Sequence, residues 1–589
     1  MNAISDETRG GVTSRNSPYM IAPVIPGLSG KAVTNRLQEM GGIDVVRSLA
    51  PEGAAGPLVV VARMSGGKAA ALRRSTTGQL VVELDESLRC ATALPALPHA
   101  PAVASALGQG FATVVRVLGD SDQPMEGAEV QLVGQQWRAQ GVTDSDGKAA
   151  LTLHGELPDT LEELVVKPRM GYWGLWRHQP NLQADAVNVV ALRPLSEVRE
   201  PGWGGRAMQL DRLPPEYRGA GIKIALIDTG VATTHKQLRS ITRGFVALAD
   251  EGSASWSQDA IGHGTACAGI ISAAWDTPKV EVVSGVRGYA SEAELHVCKL
   301  PPNARCSDLI AALDYCLATG VDLICLGLGC QRGSTIVEQR LVAAKRRGIG
   351  MIAAAGSNGG QVHFPACAPH VLAVGAIGRT GTFPDDSPHA AHAASAIATG
   401  GGFFIPAFSC RGPELDLCAP GVATVSCQSP DGYAAFDGTS LATSYVTALA
   451  ALVLAHHADF RRDFANRDAR RVERLFQILQ ATAQPLGHPA LTGAGLPNAP
   501  MALGLRAPVP TYFAPLDAGV ELMRDAMRLA GLGQPDFSEA AVPQPQRGRA
   551  LVSPLPLSPQ SPPIAACAEV GGLQDLKTAM QLAGLSAMR

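Results

Sequence analysis

The 589 residues carry 49 basic and 52 acidic side chains, a formal net charge of −3, and 46% hydrophobic content. That length exceeds one ordinary core and that apolar content suffices for several, so three or four modules are expected. The near-neutral balance removes the electrostatic case for a nucleic-acid or anionic-membrane partner. The opening residues, MNAISDETRGGVTSRNSPYM, mix charges of both signs and lack an apolar core, so they do not read as a secretory signal, and no run is long enough to span a bilayer. A cytoplasmic location is expected, with leaderless export left open, and the twelve cysteines read mostly as buried thiols.

Residues 1–17 read as a disordered terminus. From 18 to 95, apolar periodicity and Gly/Pro breaks predict strand, helix, strand, strand, helix, strand, the order of a ferredoxin-like βαββαβ unit. Residues 96–110, rich in Pro, Ala and Gly, read as a linker. Between 111 and 195, short alternating segments separated by turn clusters predict a small β-sandwich, and GVTDSDGKAALTL within it resembles transthyretin-like or carboxypeptidase-regulatory domains. From 200 to 485, apolar runs such as IKIALIDTG, VDLICLGLG and GIGMIAAAG alternate with helical segments, the pattern of an α/β domain whose parallel sheet is covered on both faces. Residues 505–589 read as a Pro-rich tail with two short similar helical stretches, AMRLAGLG and AMQLAGLS.

The third module carries the chemistry. Cleaving a peptide bond with a serine requires a base for the hydroxyl proton, a carboxylate to orient the base and donors for the oxyanion. Asp228 ends the apolar run IKIALID, which places it at the carboxyl end of a buried strand, where α/β folds build their sites. His263 stands between two glycines in GHGTACAGII, ahead of a small-residue helix. Ser440 follows the turn Gly438–Thr439 and opens an Ala-rich helix, whose unpaired N–H groups and positive dipole end face any oxyanion formed beside it.

These motifs, in the order Asp, His, Ser, resemble those of the subtilisin-like serine proteases, and the order excludes the chymotrypsin-like and α/β-hydrolase arrangements. VRGYASEAELHVCKL and FSCRGPELDLCAPGV are similar to the family's strand after the histidine helix and to the segment before its serine. The resemblance covers roughly 205–460 and implies a three-layer α/β/α catalytic domain. It also implies a serine endopeptidase working through an acyl-enzyme, with catalytic Asp228, His263 and Ser440, peptide or protein substrates, and no cofactor. A peptide-binding interaction protein of pseudoprotease type is the alternative.

By the family's pattern substrate lies as an added strand beside Gly327, Leu328 and Gly329, with Gly356 and His363 lining the primary pocket. The family's Ala-Ala-Gly-Asn oxyanion segment reads Ala354-Ala355-Gly356-Ser357-Asn358 here. Either Asn358, through a shifted loop, or Ser357 then joins the Ser440 N–H, the carboxamide being the better-matched donor. The N-terminal unit is similar to the family's inhibitory propeptide, which implies autoinhibition in cis. No metal is expected, because SAAWDTPKVEVVSG lacks the family's Asn-rich calcium loop. SPHAAHAASAIATGGG, extra to the family core, reads as a mobile Ala/Gly loop whose two histidines are not ligands. Ser444 replaces the family's usual proline at the cost of one solvated donor. Cys267, four residues after His263 on one helix face, suggests inhibition by thiol reagents.

Overall fold

The computed structural model describes residues 16–24, 30–49, 58–90, 110–195, 202–247, 255–274 and 286–505. The first fifteen residues, nearly all of the 96–110 linker, most of SAAWDTPKVEVVSG and the 506–589 tail lie outside the described residues.

The N-terminal unit runs β1 (Ser17–Pro23), α1 (Gly30–Glu39), β2 (Ile43–Leu49), β3 (Val59–Met64), α2 (Gly66–Ser75) and β4 (Leu80–Leu84), followed by the short strand β5 (Arg89–Cys90). Its sheet has the order β2-β3-β1-β4, the ferredoxin-like arrangement. Alternation along the strands divides the side chains between two faces. Ile21, Val60 and Ala62 meet Leu37 and Leu72 of the two helices, while Met20, Ala22 and Val59 join the core of the third module. Both faces of this sheet are thereby buried, which explains the continuous apolar character of YMIAP.

The sandwich consists of β6 (Gly110–Leu118), β7 (Glu129–Gly134), β8 (Arg138–Val142), β9 (Lys148–His154), β10 (Leu161–Lys167), β11 (Leu175–His178) and β12 (Val187–Ala191). Two sheets, β11-β10-β7-β8 and β12-β6-β9, enclose Val115, Val130, Leu132, Leu151 and Leu164. In β6, β7 and β9 buried positions alternate with more exposed ones, which is why a period of two was visible in the sequence.

The third module opens with α3 (Trp203–Ala207) and then β13 (Lys223–Asp228), β14 (Arg243–Val246), α4 (His263–Ser272), β15 (Glu294–Lys299), α5 (Cys306–Thr319), β16 (Leu323–Leu326) and β17 (Leu328–Gly329). It continues through α6 (Thr335–Arg346), β18 (Gly350–Ala354), β19 (Leu372–Arg379), α7 (Pro388–Ala394), β20 (Ile397–Ala398), β21 (Phe403–Ile405), β22 (Leu417–Pro420), β23 (Thr424–Gln428), β24 (Gly432–Phe436), α8 (Thr439–His456) and α9 (Ala469–Ala481). The main sheet has the order β14-β15-β13-β16-β18-β19, with β22 also beside β19 and all of these pairings parallel. One core unites α4 and α8 with one face of the sheet, and a second unites α5 and α6 with the other. The expected three-layer α/β/α architecture is the observed one.

The strands that follow β13 in sequence fall on both its sides, β15 on one and β16 on the other. Its carboxyl end is therefore a topological switch point, where neighbouring connections diverge and leave a crevice. Helix α8, 18 residues long, is apolar enough by composition to cross a membrane, yet 89% of it is buried inside the fold. Its hydrophobicity serves the core on every side.

Candidate active site

Asp228 is the last residue of β13 and is 1% exposed. Its Oδ1 accepts the Thr229 N–H at 2.7 Å and lies 2.6 Å from His263 Nδ1, while His263 Nε2 lies 2.7 Å from Ser440 Oγ. His263 and Ser440 stand at the first turns of α4 and α8, both buried. The three residues thus form one chain of hydrogen bonds in which Ser440 can donate to Nε2 while Nδ1–H donates to the carboxylate. Burial favours the neutral imidazole, but the charge and hydrogen bond of Asp228, aided by Asp259, outweigh it and raise the His263 pKa above its ordinary value.

Local sequence makes this approach possible. A β-carbon at Gly264 would lie 2.1 Å from the Gly230 carbonyl oxygen, and one at Gly327 would lie 2.3 Å from Asp228 Oδ2, so side chains at either place would push the carboxylate from the ring. Asp259, which the sequence reading passed over, organises the histidine turn. Its carboxylate accepts the N–H groups of Gly262 and Thr265 and the hydroxyls of Thr265 and Thr229. Thr229 Oγ1 in turn accepts the Gly264 N–H at 2.9 Å, tying β13 to the start of α4. An acidic residue just ahead of an expected helix start was the available signal.

Leu328 and Gly329, expected to take substrate as an added strand, pair antiparallel with the chain's own Cys90 and Arg89. Leu88 is buried among Leu328, Val362 and Phe364. The Cys90 thiol, the Asp228 carboxylate and the His263 ring offer donor atoms within 4.8 Å of one another, and burial pushes the thiol pKa well up, with Asp228 and Asp259 adding to the rise. This is the one cluster of metal-ligand type found among the described residues, and two of its members are already bonded to each other.

Ser357 and Asn358 part company. Ser357 Oγ accepts the Thr439 N–H at 3.2 Å and lies 3.2 Å from Thr439 Oγ1, which places it against the turn that carries Ser440. Asn358 turns its carboxamide oxygen to the Gly360 N–H, 3.1 Å, and the Cys410 thiol, 2.9 Å. Gly356 packs so closely that a β-carbon there would stand 2.8 Å from both His363 and Cys410. His363 is half-buried, with burial holding its pKa below the ordinary value and the Arg89 charge adding to the depression.

Three sequence expectations are corrected. The stretch expected as a mobile Ala/Gly loop forms α7, β20 and a turn into β21, and His389 and His392 both bond Asp437. Ser444 is buried rather than solvated, its hydroxyl donating to the Ser440 carbonyl at 2.9 Å, because it lies beyond the first turn of α8 and faces the core. Cys267 does share a helix face with His263 but is a fully buried packing thiol, its pKa pushed well up by that burial and by Asp228. All eleven cysteines among the described residues are free thiols, nine of them buried.

A parallel sheet with its crevice at β13, holding Asp, His and Ser in this order and geometry, defines a subtilisin-like serine peptidase fold, and the sequence profile of the subtilase family matches residues 219–495. The chain belongs to that family. It is 30% identical over 290 residues to subtilisin DY of Bacillus licheniformis, an alignment covering 48% of this chain and 90% of that relative. Subtilisin E of Bacillus subtilis is 31% identical over 290 residues, again 48% of this chain but 65% of the relative. M-protease of Shouchella clausii is 32% identical over 285 residues, 48% of this chain and 64% of the relative. The chain thus spans just under two thirds of the second and third relatives, and each alignment leaves about half of the chain uncovered.

Proposed function

We propose that this chain is a serine endopeptidase that hydrolyses peptide bonds in peptide or protein substrates through an acyl-enzyme. The observation that carries the reading is the unbroken chain Asp228–His263–Ser440, with 2.6 and 2.7 Å between successive polar atoms. Ser440 Oγ attacks the scissile carbonyl carbon as its proton passes to His263 Nε2, and the imidazolium is stabilised by Asp228. The oxyanion of the tetrahedral intermediate is held by the Ser440 N–H at the start of α8 and by Ser357 Oγ. His263 then returns the proton to the leaving amine, and water releases the acyl group by the same steps in reverse roles.

In the same reading the N-terminal unit inhibits in cis. Arg89 and Cys90 lie along the edge strand where substrate backbone would pair, the Leu88 N–H donates to the Ala304 carbonyl at 2.7 Å, and Asp85 and Glu83 cap the starts of α5 and α6, anchoring the segment. An occupant that uses main-chain pairing competes with any peptide that must use it too. The test is cleavage of a proteome-derived peptide mixture by the full chain, read by mass spectrometry, beside labelling with a fluorophosphonate. Cleavage and labelling that both vanish in Ser440→Ala support the reading. Parent protein that neither cleaves nor labels, even when the Asp85 and Glu83 caps are removed, leaves a peptide-binding protein in its place.

A further inference from the structure

The third module carries a second carboxylate–histidine cluster that the reaction above does not use. Asp437 stands three residues before Ser440, and His389 Nδ1 lies 2.8 Å from each of its carboxylate oxygens. His392 Nε2 lies 3.3 Å from Oδ2, and the Ala423 N–H donates to Oδ1 at 2.7 Å. Burial opposes ionisation of this carboxyl, but His389 and His392 outweigh it and hold the pKa far below the ordinary range, so the group is an anion and His389 must carry its proton on Nδ1. Lys167 of the sandwich also faces this charge.

His389 is itself held from outside the catalytic module. The Trp173 ring meets it edge-on at 5.7 Å between centroids, and Phe383 closes a third side at 6.1 Å. The Trp176 N–H donates to the Asp386 carbonyl at 2.6 Å, and Arg193 pairs with the Asp386 carboxylate at 3.1 Å. Gly174 lies so near Pro388 that a β-carbon there would stand 3.1 Å from its ring. A second seam joins the Gly171 N–H to the Tyr433 carbonyl at the start of β24, 2.7 Å, and β24 leads directly into Asp437. The sandwich therefore grips both the segment that bears His389 and the strand that delivers the nucleophile turn.

We propose that His389 is a positioning residue for Ser440, acting through Asp437, and that the β-sandwich is the buttress that keeps His389 in place. The inference rests on Ser440 being the nucleophile. The physical argument is one of rigidity. The turn 437–440 must hold Ser440 Oγ within hydrogen-bond reach of His263 while leaving the Ser440 N–H aimed at the oxyanion. The bonds that do this include the Gly438 N–H to the Gly421 carbonyl at 2.8 Å, the Thr439 N–H to Ser357 Oγ, the Gly356 N–H to Thr439 Oγ1 at 3.2 Å, and the Asp437 clamp. A charge-assisted pair that contacts both carboxylate oxygens is the strongest of these. A displacement of the nucleophile of the order of 1 Å costs up to about 10²-fold in rate.

The experiment uses the full chain with His389→Ala and His389→Asn, the latter because an asparagine Nδ2 sits the same number of bonds from the backbone as histidine Nδ1. The expected result is a fall of about 10-fold or more in kcat and in the fluorophosphonate labelling rate for His389→Ala, KM changing less than about 2-fold, and substantial recovery in His389→Asn. Hydrogen exchange of the Ala423 and Gly438 amides is expected to quicken in His389→Ala and not in His389→Asn. A His389→Ala protein with the parent's labelling rate and the parent's exchange at these amides overturns the proposal. So does a variant that loses thermal stability while its labelled fraction keeps the parent's kcat, since that is the signature of a structural role alone. If the parent neither labels nor cleaves even with the Asp85 and Glu83 caps removed, the nucleophile reading falls, and the clamp is still decided by the exchange measurement.

Discussion

At the scale of single residues, the oxyanion donor and the base give two measurable consequences. Ser357 stands against the Thr439 amide whereas Asn358 is engaged by Gly360 and Cys410. Removal of an oxyanion donor costs roughly 10²–10³ in turnover, about 2.7–4 kcal/mol, with little effect on substrate affinity, because the bond is made in the transition state. A hydroxyl is a weaker donor than a carboxamide, so Ser357→Ala is expected at the lower end of that range and Asn358→Ala well below it. Steady-state kinetics of both variants on one peptide substrate decides between them. The second consequence follows from His263, whose pKa lies above its ordinary value of about 6.5. The general base must be neutral to accept the Ser440 proton, so kcat/KM should rise with pH through an apparent pKa above about 6.5. An acid limb at or below that value would show that the Asp228 charge does not reach the ring as the geometry implies.

At the scale of elements, the helix starts do the arranging. Asp85 Oδ1 accepts the Ser307 N–H at 2.9 Å and Glu83 Oε1 the Thr335 N–H at 2.9 Å, so two carboxylates of the N-terminal unit satisfy the open amides of α5 and α6. Such a cap contributes typically about 1 kcal/mol. Replacing Asp85 or Glu83 by alanine should therefore loosen the segment that ends in Arg89–Cys90 and raise the rate of peptide hydrolysis by about 5-fold for each. Unchanged or lower rates in folded variants would count against inhibition in cis. The same elements explain what was legible beforehand. Strand β13 and helix α8 announce themselves through uninterrupted apolar runs, because a strand or helix buried on all sides needs no polar face. Helix α7 did not, since Pro388–Ala394 is short and Ala-rich and takes its order from Trp173 and Asp437, distant in sequence.

At the scale of the whole molecule, the modules are joined by charge as well as by apolar surface. The depressed pKa of Asp437 couples the sandwich-held histidines to folding. A carboxyl whose folded pKa lies below its unfolded value of about 3.9 contributes stability above that value and loses it as pH falls toward the folded one. The parent is therefore expected to lose more thermal stability than Asp437→Asn between about pH 5 and about pH 3, a difference that thermal unfolding at several pH values reads directly. Equal losses would mean that the His389 pair contributes nothing net against the cost of burying it.

The candidacy of Asp228, His263 and Ser440 was legible in the sequence alone, because each sits in a local motif whose glycines and helix start are needed whatever surrounds them. So was the division into a βαββαβ unit, a sandwich and an α/β domain, because the periods of two and 3.6 residues are local properties of buried faces. Only the tertiary structure decided which segment pairs with Leu328 and Gly329, which of Ser357 and Asn358 lies against the turn that carries Ser440, and what the two histidines of the insertion bond. Those depend on residues far apart in the chain, such as Asp437 with His389, 48 positions apart, or Cys90 with Leu328, 328 − 90 = 238 positions apart. No local pattern encodes such meetings, since they arise when whole layers pack and the chain is brought back on itself.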